Sequence, residues 1–568
     1  MTHSKLRAAA LACLLLMGTL PALSTAQVDI KADLILSHGE IYASGGWAQA
    51  MAVKDGVILA VGDEAAVNQY KTGETEVIDL NGAAVLPGLH DMHVHPMGSG
   101  LQRFQCRFEQ GSALQKVLDT IAECVAKRGK GEWITGGQWD VASLGVTPHR
   151  SYLDRVSPDN PVVLSDISGH STWANSKALE GANITRATAA PPGGVIERDD
   201  KGEPTGVMRE SAGWLLRGNV PPYTPEQNAE ALTWSLGYML SEGITSLTDA
   251  GVNDVSMQAY ATLADRGQLK QRVRGCIMWR PTPFTAGQDA PDPVVRRHLY
   301  ARDRFSPDCI KMVLDGVPTD GHTAAMVEAY GDAGGMDEAR AKGILMTPQD
   351  VLDKAVTDFD ARGLTVKFHA AGDAAVRAGL NAIAAARKAN GFSGILHDIG
   401  HNSFVQMSDI RRAKDIAATF EMSPYIWYPN PIIPDIAKAI GPKRMQRWIP
   451  VKDAIDSGAL VVPGSDWAVV PSVSPWIAIE TLVTRQKPGG GGEVLGAQER
   501  ITLQQAIDLF TINSAIQMGH RDKAGSIGPG MLADVIVLDR NPFKIPITEV
   551  HKTTVKMTVI NGKIVYRR

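Results

Sequence analysis

Through the middle of the chain, short apolar runs alternate with longer stretches that carry apolar residues at helical spacing. This is the pattern of parallel βαβ units. Eight runs read as strands: Ala84–His93, Ile244–Ala250, Arg272–Trp279, Cys309–Asp315, Leu364–His369, Ile395–His401, Ile416–Met422 and Leu460–Asp466. Eight parallel strands close a barrel, so the expected fold is α/β, a (β/α)8 TIM-like barrel. Neighbouring runs are mostly separated by roughly 30–50 residues, enough for a strand, a helix and their loops. The first gap is roughly 150 residues and needs structure of its own. Residues 98–223 are therefore expected to form an inserted subdomain between barrel strand 1 (87–97) and the rest of the barrel (224–518). The two ends have another texture. Asp33–Leu36, Gln49–Val53 and Val57–Val61 precede the barrel, with a hairpin signal at Lys54–Gly56; Asp534–Leu538, Val555–Ile560 and Lys563–Tyr566 follow it. Residues 27–86 and 519–568 are expected to combine into one small β-sandwich.

Composition narrows the partners. The 568 residues carry a formal net charge of −4 and no basic stretch, which argues against nucleic acid. Mean hydropathy is −0.09, and past the N-terminus no apolar run reaches the roughly 18 residues of a membrane span. At the N-terminus, Lys5 and Arg7 precede an apolar core, Ala8–Leu16, and the small residues Ser24, Thr25 and Ala26 close the segment. Residues 1–26 read as a signal peptide, so the mature protein is expected to be exported, periplasmic or secreted. Four of the five cysteines would remain after cleavage; Cys106 and Cys124 are the nearest pair in sequence. Export permits disulfides, and the absence of a C-x-x-C argues against a cysteine-based zinc site.

The candidate chemistry lies at strand ends. His93 and His95 form a His-x-His in the first run, and strand alternation puts both imidazoles on one face. Two neutral imidazoles aimed at one point make a metal site. They end the first barrel strand, and the catalytic face of such barrels is the C-terminal one. His369, His401 and Asp466 close three further runs. His397 competes with His401 but begins its run rather than ending it. Histidine and carboxylate donors without thiolates suit zinc, with manganese, iron or cobalt as other divalent possibilities.

These segments carry a family likeness. Pro87–His95, Trp133–Asp140, Gly169–Leu179, Gly202–Gly206, Gly243–Asp249, Gly464–Asp466 and Gly525–Asp534 resemble the amidohydrolase superfamily, in particular the YtcJ-like branch (amidohydrolase family 3) that includes N-substituted formamide deformylases. The likeness covers essentially the whole mature chain. It implies a metal set of His93, His95, His369, His401 and Asp466, holding one or two divalent ions. It also implies that Lys311 is carboxylated and bridges them. In one place the chain departs from the pattern: relatives usually carry Glu before the strand-six histidine, and here Gly400 stands there. A carboxylate near His401 is missing or comes from elsewhere, which leaves the orientation of His401 unassigned. The implied reaction is hydrolysis of a small amide, with Asp466 as general acid and base. The superfamily's barrels are often dimers or larger, so a homo-oligomer is a possible assembly.

Around this set, Trp139, Asp140, His170, His322 and Trp467 stand as candidates for contact with a small-molecule amide substrate. Tyr425, Trp427 and Tyr428 follow strand seven and can form an aromatic wall. Two other functions compete: a peptidase of the same superfamily and a non-catalytic, metal-containing binding protein. A fixed cation for a free carboxylate would favour the peptidase, and Arg103, Arg209 and Arg280 are its candidates.

Overall fold

The computed structural model describes residues 30–279, 292–427 and 432–568. The signal-peptide segment, Arg280, Tyr428 and the side chain of Trp427 lie outside the described residues. The apolar runs form β1 (Leu89–Val94), β2 (Ile244–Val252), β3 (Arg272–Met278), β4 (Phe305–Val313), β5 (Thr365–Ala370), β6 (His397–His401), β7 (Ala418–Met422) and β8 (Leu460–Pro463), paired in chain order in one sheet. Every pairing is parallel. Strands β5, β6 and β7 are buried along their whole length, as expected when helices cover one face and the barrel interior the other. The ends of the sheet meet where β8 runs out: Asp466 N–H donates to His93 O at 2.7 Å and His95 N–H to Trp467 O at 2.8 Å.

Two expected strands have different limits. The run Ala84–His93 is two strands, broken at Gly88. Ala84–Pro87 joins a sheet of the terminal sandwich, and only Leu89–Val94 enters the barrel. A Cβ on Gly88 would stand 2.4 Å from the Thr245 side chain, so glycine lets the chain pass between the two units. Strand β8 ends at Pro463, and Asp466 follows in a left-handed conformation at φ 55°.

Between β1 and β2 the chain builds a separate six-stranded sheet. Its order is Gly194–Arg198, Pro204–Glu210, Ser171–Ala174, Val162–Asp166, Ile134–Trp139 and Cys106–Arg107, and it packs on apolar clusters of its own. The termini build two further sheets, one of four strands all from the N-terminal segment and one of six strands drawn from both ends. In one of them Val535–Leu538 from the C-terminal end pairs antiparallel with Ala84–Pro87, over a common core that includes Leu36, Met51, Val85 and Val559. Disulfides join Cys106 to Cys124 in the insert and Cys276 to Cys309 across β3 and β4.

His397 is structural. Its Nδ1 accepts Val366 N–H at 2.9 Å, and its Nε2–H donates to Asp360 at 3.0 Å. Asp360 also accepts from Arg387 at 2.8 Å, Asn390 at 2.9 Å and Ser393 at 2.7 Å. Burial pushes the Asp360 carboxyl up, but the hydrogen bonds from His397, Asn390 and Ser393 outweigh it and hold the group below the usual carboxylate range. A depressed folded-state pKa contributes stability that is complete above the unfolded value of about 3.9 and is lost as pH falls below it. Asp360→Ala is expected to cost about 3 kcal/mol or more by stranding Arg387 and His397. Urea melts should show that loss at neutral pH and a smaller difference between the two proteins below about pH 4.

Candidate metal centre

The side chains that end the barrel strands converge on one point. Single donor atoms of His93, His95 and Asp466 all lie within 4.8 Å of one another. Asp466 Oδ1 is 3.3 Å from His95 Nε2 and 3.7 Å from His93 Nε2, and Oδ2 is 4.0 Å from His401 Nδ1. Lys311 Nζ, from β4, is 3.2 Å from His93 Nε2. The His401 ring lies 4.6 Å from that of His93 and 4.3 Å from that of His369. The six residues of the expected ligand set therefore line one cavity of about 700 Å³.

The donor set fits a divalent cation. His401 Nε2 is buried and has no hydrogen-bond partner among the described residues. His369 donates Nε2–H to Gly316 O at 3.0 Å, which fixes its tautomer and leaves Nδ1 as a lone-pair donor. Burial lowers the pKa of His93, His369 and His401 well below the ordinary histidine value, with Lys311 adding to the effect on each and His170 acting on His369. Neutral imidazole is the form that ligates. Burial, helped by the charge of Lys367, brings Lys311 down to about 8, within reach of a neutral amine. The backbone is specialised at the same places, since His401 and Asp466 have positive φ values of 72° and 55°, a conformation uncommon outside glycine and concentrated at functional sites. Asp315 accepts N–H groups of Ala325, Ala371 and Gly372, which fixes the turn after His369.

The carboxylate absent at position 400 has a counterpart on the next strand, but it orients His93, while His401 Nδ1 meets Ser423 Oγ at 3.3 Å. Glu421, on β7, is the register partner of Gly400, and its Oε2 hydrogen-bonds His93 Nδ1. It occupies the space that a side chain at 400 would need: a Cβ there would stand 2.8 Å from Glu421 Oε2 and 3.2 Å from His93 Nδ1. Gly464, just past β8, yields in the same way, with a Cβ only 2.4 Å from Glu421 Oε1. Lys367 Nζ, 2.6 Å from Asp398 and 3.5 Å from Glu421, balances the buried charge. Burial raises the Glu421 carboxyl to about 7 against the pull of Lys367. Sequence reasoning missed Glu421, although a glutamate inside an apolar strand was a visible signal.

Of the expected substrate contacts, His170 lines the cavity. Its Nδ1 is 2.7 Å from Glu210 Oε2 and its ring 4.8 Å from that of His369. Burial alone would lower its pKa, but Glu210 raises it above the ordinary histidine value. The other five described candidates do not line that cavity. Trp139 is buried against Trp173 and donates Nε1–H to Leu164 O, and neighbouring Asp140 caps a short helix. His322 is paired with Asp332 at 2.7 Å. Tyr425 is in the core and donates to Val473 O. Trp467 packs at a tilt against Tyr238 and Trp234. Two of the three candidate cations are also taken: Arg103 faces Glu230 at 3.6 Å, and Arg209 pairs with Glu197 and Asp320.

Comparison with known proteins identifies the family and the fold. A model of the Amidohydrolase family matches residues 76–566. YtcJ of Bacillus subtilis (strain 168), which carries an amidohydrolase name, is 30% identical over 534 residues, 92% of this chain and 97% of its own. The N-substituted formamide deformylase of Arthrobacter pascens is 26% identical over 560 residues, 94% of this chain and 98% of its own. An uncharacterized metal-dependent hydrolase from Pyrococcus horikoshii OT3 shares the fold, with a TM-score of 0.69 at 22% identity over 90% of this chain and 99% of that one.

Glu421→Gln keeps the shape of the group that orients His93 and removes its charge. It is expected to weaken zinc binding by about 10- to 100-fold, measured by competition with a chromogenic chelator. Gly400→Glu should be worse, since it forces two carboxylates into space that holds one; its zinc content after purification checks this.

Proposed function

The chain belongs to the amidohydrolase family, and from that premise we propose that it is an exported, zinc-type hydrolase that cleaves a C–N amide bond of a small substrate. The observation that carries this reading is the convergence of His93, His95 and Asp466 within 4.8 Å at the floor of the cavity. The formamide deformylase and metal-dependent hydrolase names among similar proteins support the bond type and the metal. The signal-peptide pattern of residues 1–26 supports export, as do two disulfides, which persist in oxidising compartments.

His93, His95, Lys311, His369, His401 and Asp466 would hold the metal. A divalent ion there supplies Lewis acidity toward the carbonyl and lowers the pKa of water toward neutrality. The protein's residues do the rest. Asp466 takes the proton of the attacking water and returns it to the leaving nitrogen. His170, biased toward its protonated form by Glu210, offers an N–H to charge developing on the carbonyl oxygen. Glu421 holds the His93 ring in one orientation.

The test is a mass-spectrometric hydrolysis screen of the zinc-loaded mature protein against N-formyl and N-acyl amines, cyclic imides, dipeptides and esters. Cleavage of an amide is expected, lost on chelation and restored by zinc, with Asp466→Asn lowering kcat/KM by about 10²- to 10⁴-fold. Turnover of esters alone would make the bond assignment wrong. Turnover that survives the chelator would make the metal assignment wrong.

A further inference from the structure

The inserted sheet turns one row of residues toward the cavity. Arg107, Gly137 and Ser165 are register partners on three adjacent strands, and all three line the cavity. Gly137 has no side chain and cannot acquire one, because a Cβ would lie 2.1 Å from Ser165 O at a φ of 142°. The row is thus a slot, open over Gly137. Adjacent strands are spaced by about 4.8 Å, so its two sides are about 10 Å apart. Arg107 stands on one side. On the other, Arg217 reaches in from a short helix, its Nη2 3.5 Å from Ser165 Oγ and 3.2 Å from Gly169 O, with Nε 3.2 Å from Thr172 Oγ1.

Neither guanidinium is in an ion pair among the described residues. Arg107 has a neutral partner, Gln138 Oε1, at 3.3 Å. The carboxylates near Arg217 are engaged with other groups: Asp166 accepts from Ser168 and Ser171, and Glu210 is bound to His170 and Thr323. Two cations facing one slot repel each other, and Arg217 is half-buried, so an anion between them relieves both the repulsion and the desolvation of Arg217. Both are also tied to the reaction centre. Gln138 donates to Ala468 O, close after Asp466 in the chain, and Gly169 precedes His170.

We propose that Arg107 and Arg217 form an anion subsite that receives a carboxylate carried by the substrate, away from the bond to be cleaved. The subsite rests on the amide-hydrolase reading for the rest of the ligand. Met97, Leu101, Val255 and Met278, also in the lining, offer apolar surface for the body of such a molecule. The substrate class is then an amide with a free carboxylate.

The probes are matched pairs: N-acetyl-leucine, N-acetyl-methionine and N-acetyl-phenylalanine, each beside its neutral carboxamide. Binding is measured by calorimetry on the zinc-loaded mature protein, on Arg107→Gln, on Arg217→Gln and on the double variant. Arg103→Gln, whose guanidinium faces Glu230, is the control, and thermal melts check folding. At least one acid is expected to bind about 10- to 100-fold more tightly than its carboxamide. That preference should weaken as salt rises, disappear in both single variants and persist in Arg103→Gln. If Arg217→Gln does not fold, the exposed Arg107 still carries the test. Equal binding of acids and carboxamides, or no acid binding at millimolar concentration, would overturn the subsite. So would a preference that survives in the double variant, as it would if the carboxylate sat on the metal instead. Turnover of the same compounds separates this proposal from its premise: an arginine-dependent acid preference without hydrolysis keeps the subsite and removes the hydrolase reading, while hydrolysis without acid preference does the reverse.

Discussion

The structure depends on the closure between β1 and the end of β8. The backbone hydrogen bonds Asp466 N–H to His93 O and His95 N–H to Trp467 O join the two ends of a sheet whose other seven contacts follow chain order. They also bring Asp466 against His93 of β1 and His95 just after it. Barrel closure and assembly of the candidate metal ligands are therefore one event, and neither strand presents the candidate site without the other. The positive φ of Asp466 is understandable in this light: the chain must turn as β8 ends so that the N–H of residue 466 meets β1 while its carboxylate faces the cavity.

Closure gathers charge in a place with little water. Lys311, Lys367, Asp398, Glu421 and Asp466 interact within the barrel, and Lys367 is wholly buried. Buried ions are tolerated when each has a partner and strongly destabilising when one is removed. The pairing here is specific. Lys367 pairs with Asp398 and Glu421, Glu421 fixes His93, and Lys311 and Asp466 flank the His93 Nε2 face. The glycines at 400 and 464 belong to the same device, because the carboxylate of Glu421 occupies the volume that their side chains would take.

Much of this was legible in the sequence because it follows period and position. Alternation along a strand puts His93 and His95 on one face, and the rule that barrel sites lie at C-terminal strand ends selected His369, His401 and Asp466 and set His397 aside. The long first gap announced the insert, and the β-rich termini announced the sandwich. What was not legible depends on contacts between distant segments. Gly400 could be read as a loss, but only the register of β6 with β7 shows Glu421 in its place. Trp139, Tyr425 and Trp467 were attractive as aromatic residues near the site, yet each is held by packing that sequence does not display. The guanidiniums facing the cavity, Arg107 and Arg217, come from the insert, while Arg103 and Arg209 are consumed by ion pairs with partners far along the chain.

The central claim is that the residues joined by the closing seam hold a metal ion. Anomalous diffraction at the zinc edge from crystals of the zinc-loaded protein tests it most directly. A peak about 2.0–2.2 Å from nitrogens of His93 and His95 and from an oxygen of Asp466 is the expected result. Zinc bound elsewhere, with those three side chains beyond ligand distance, would contradict the account.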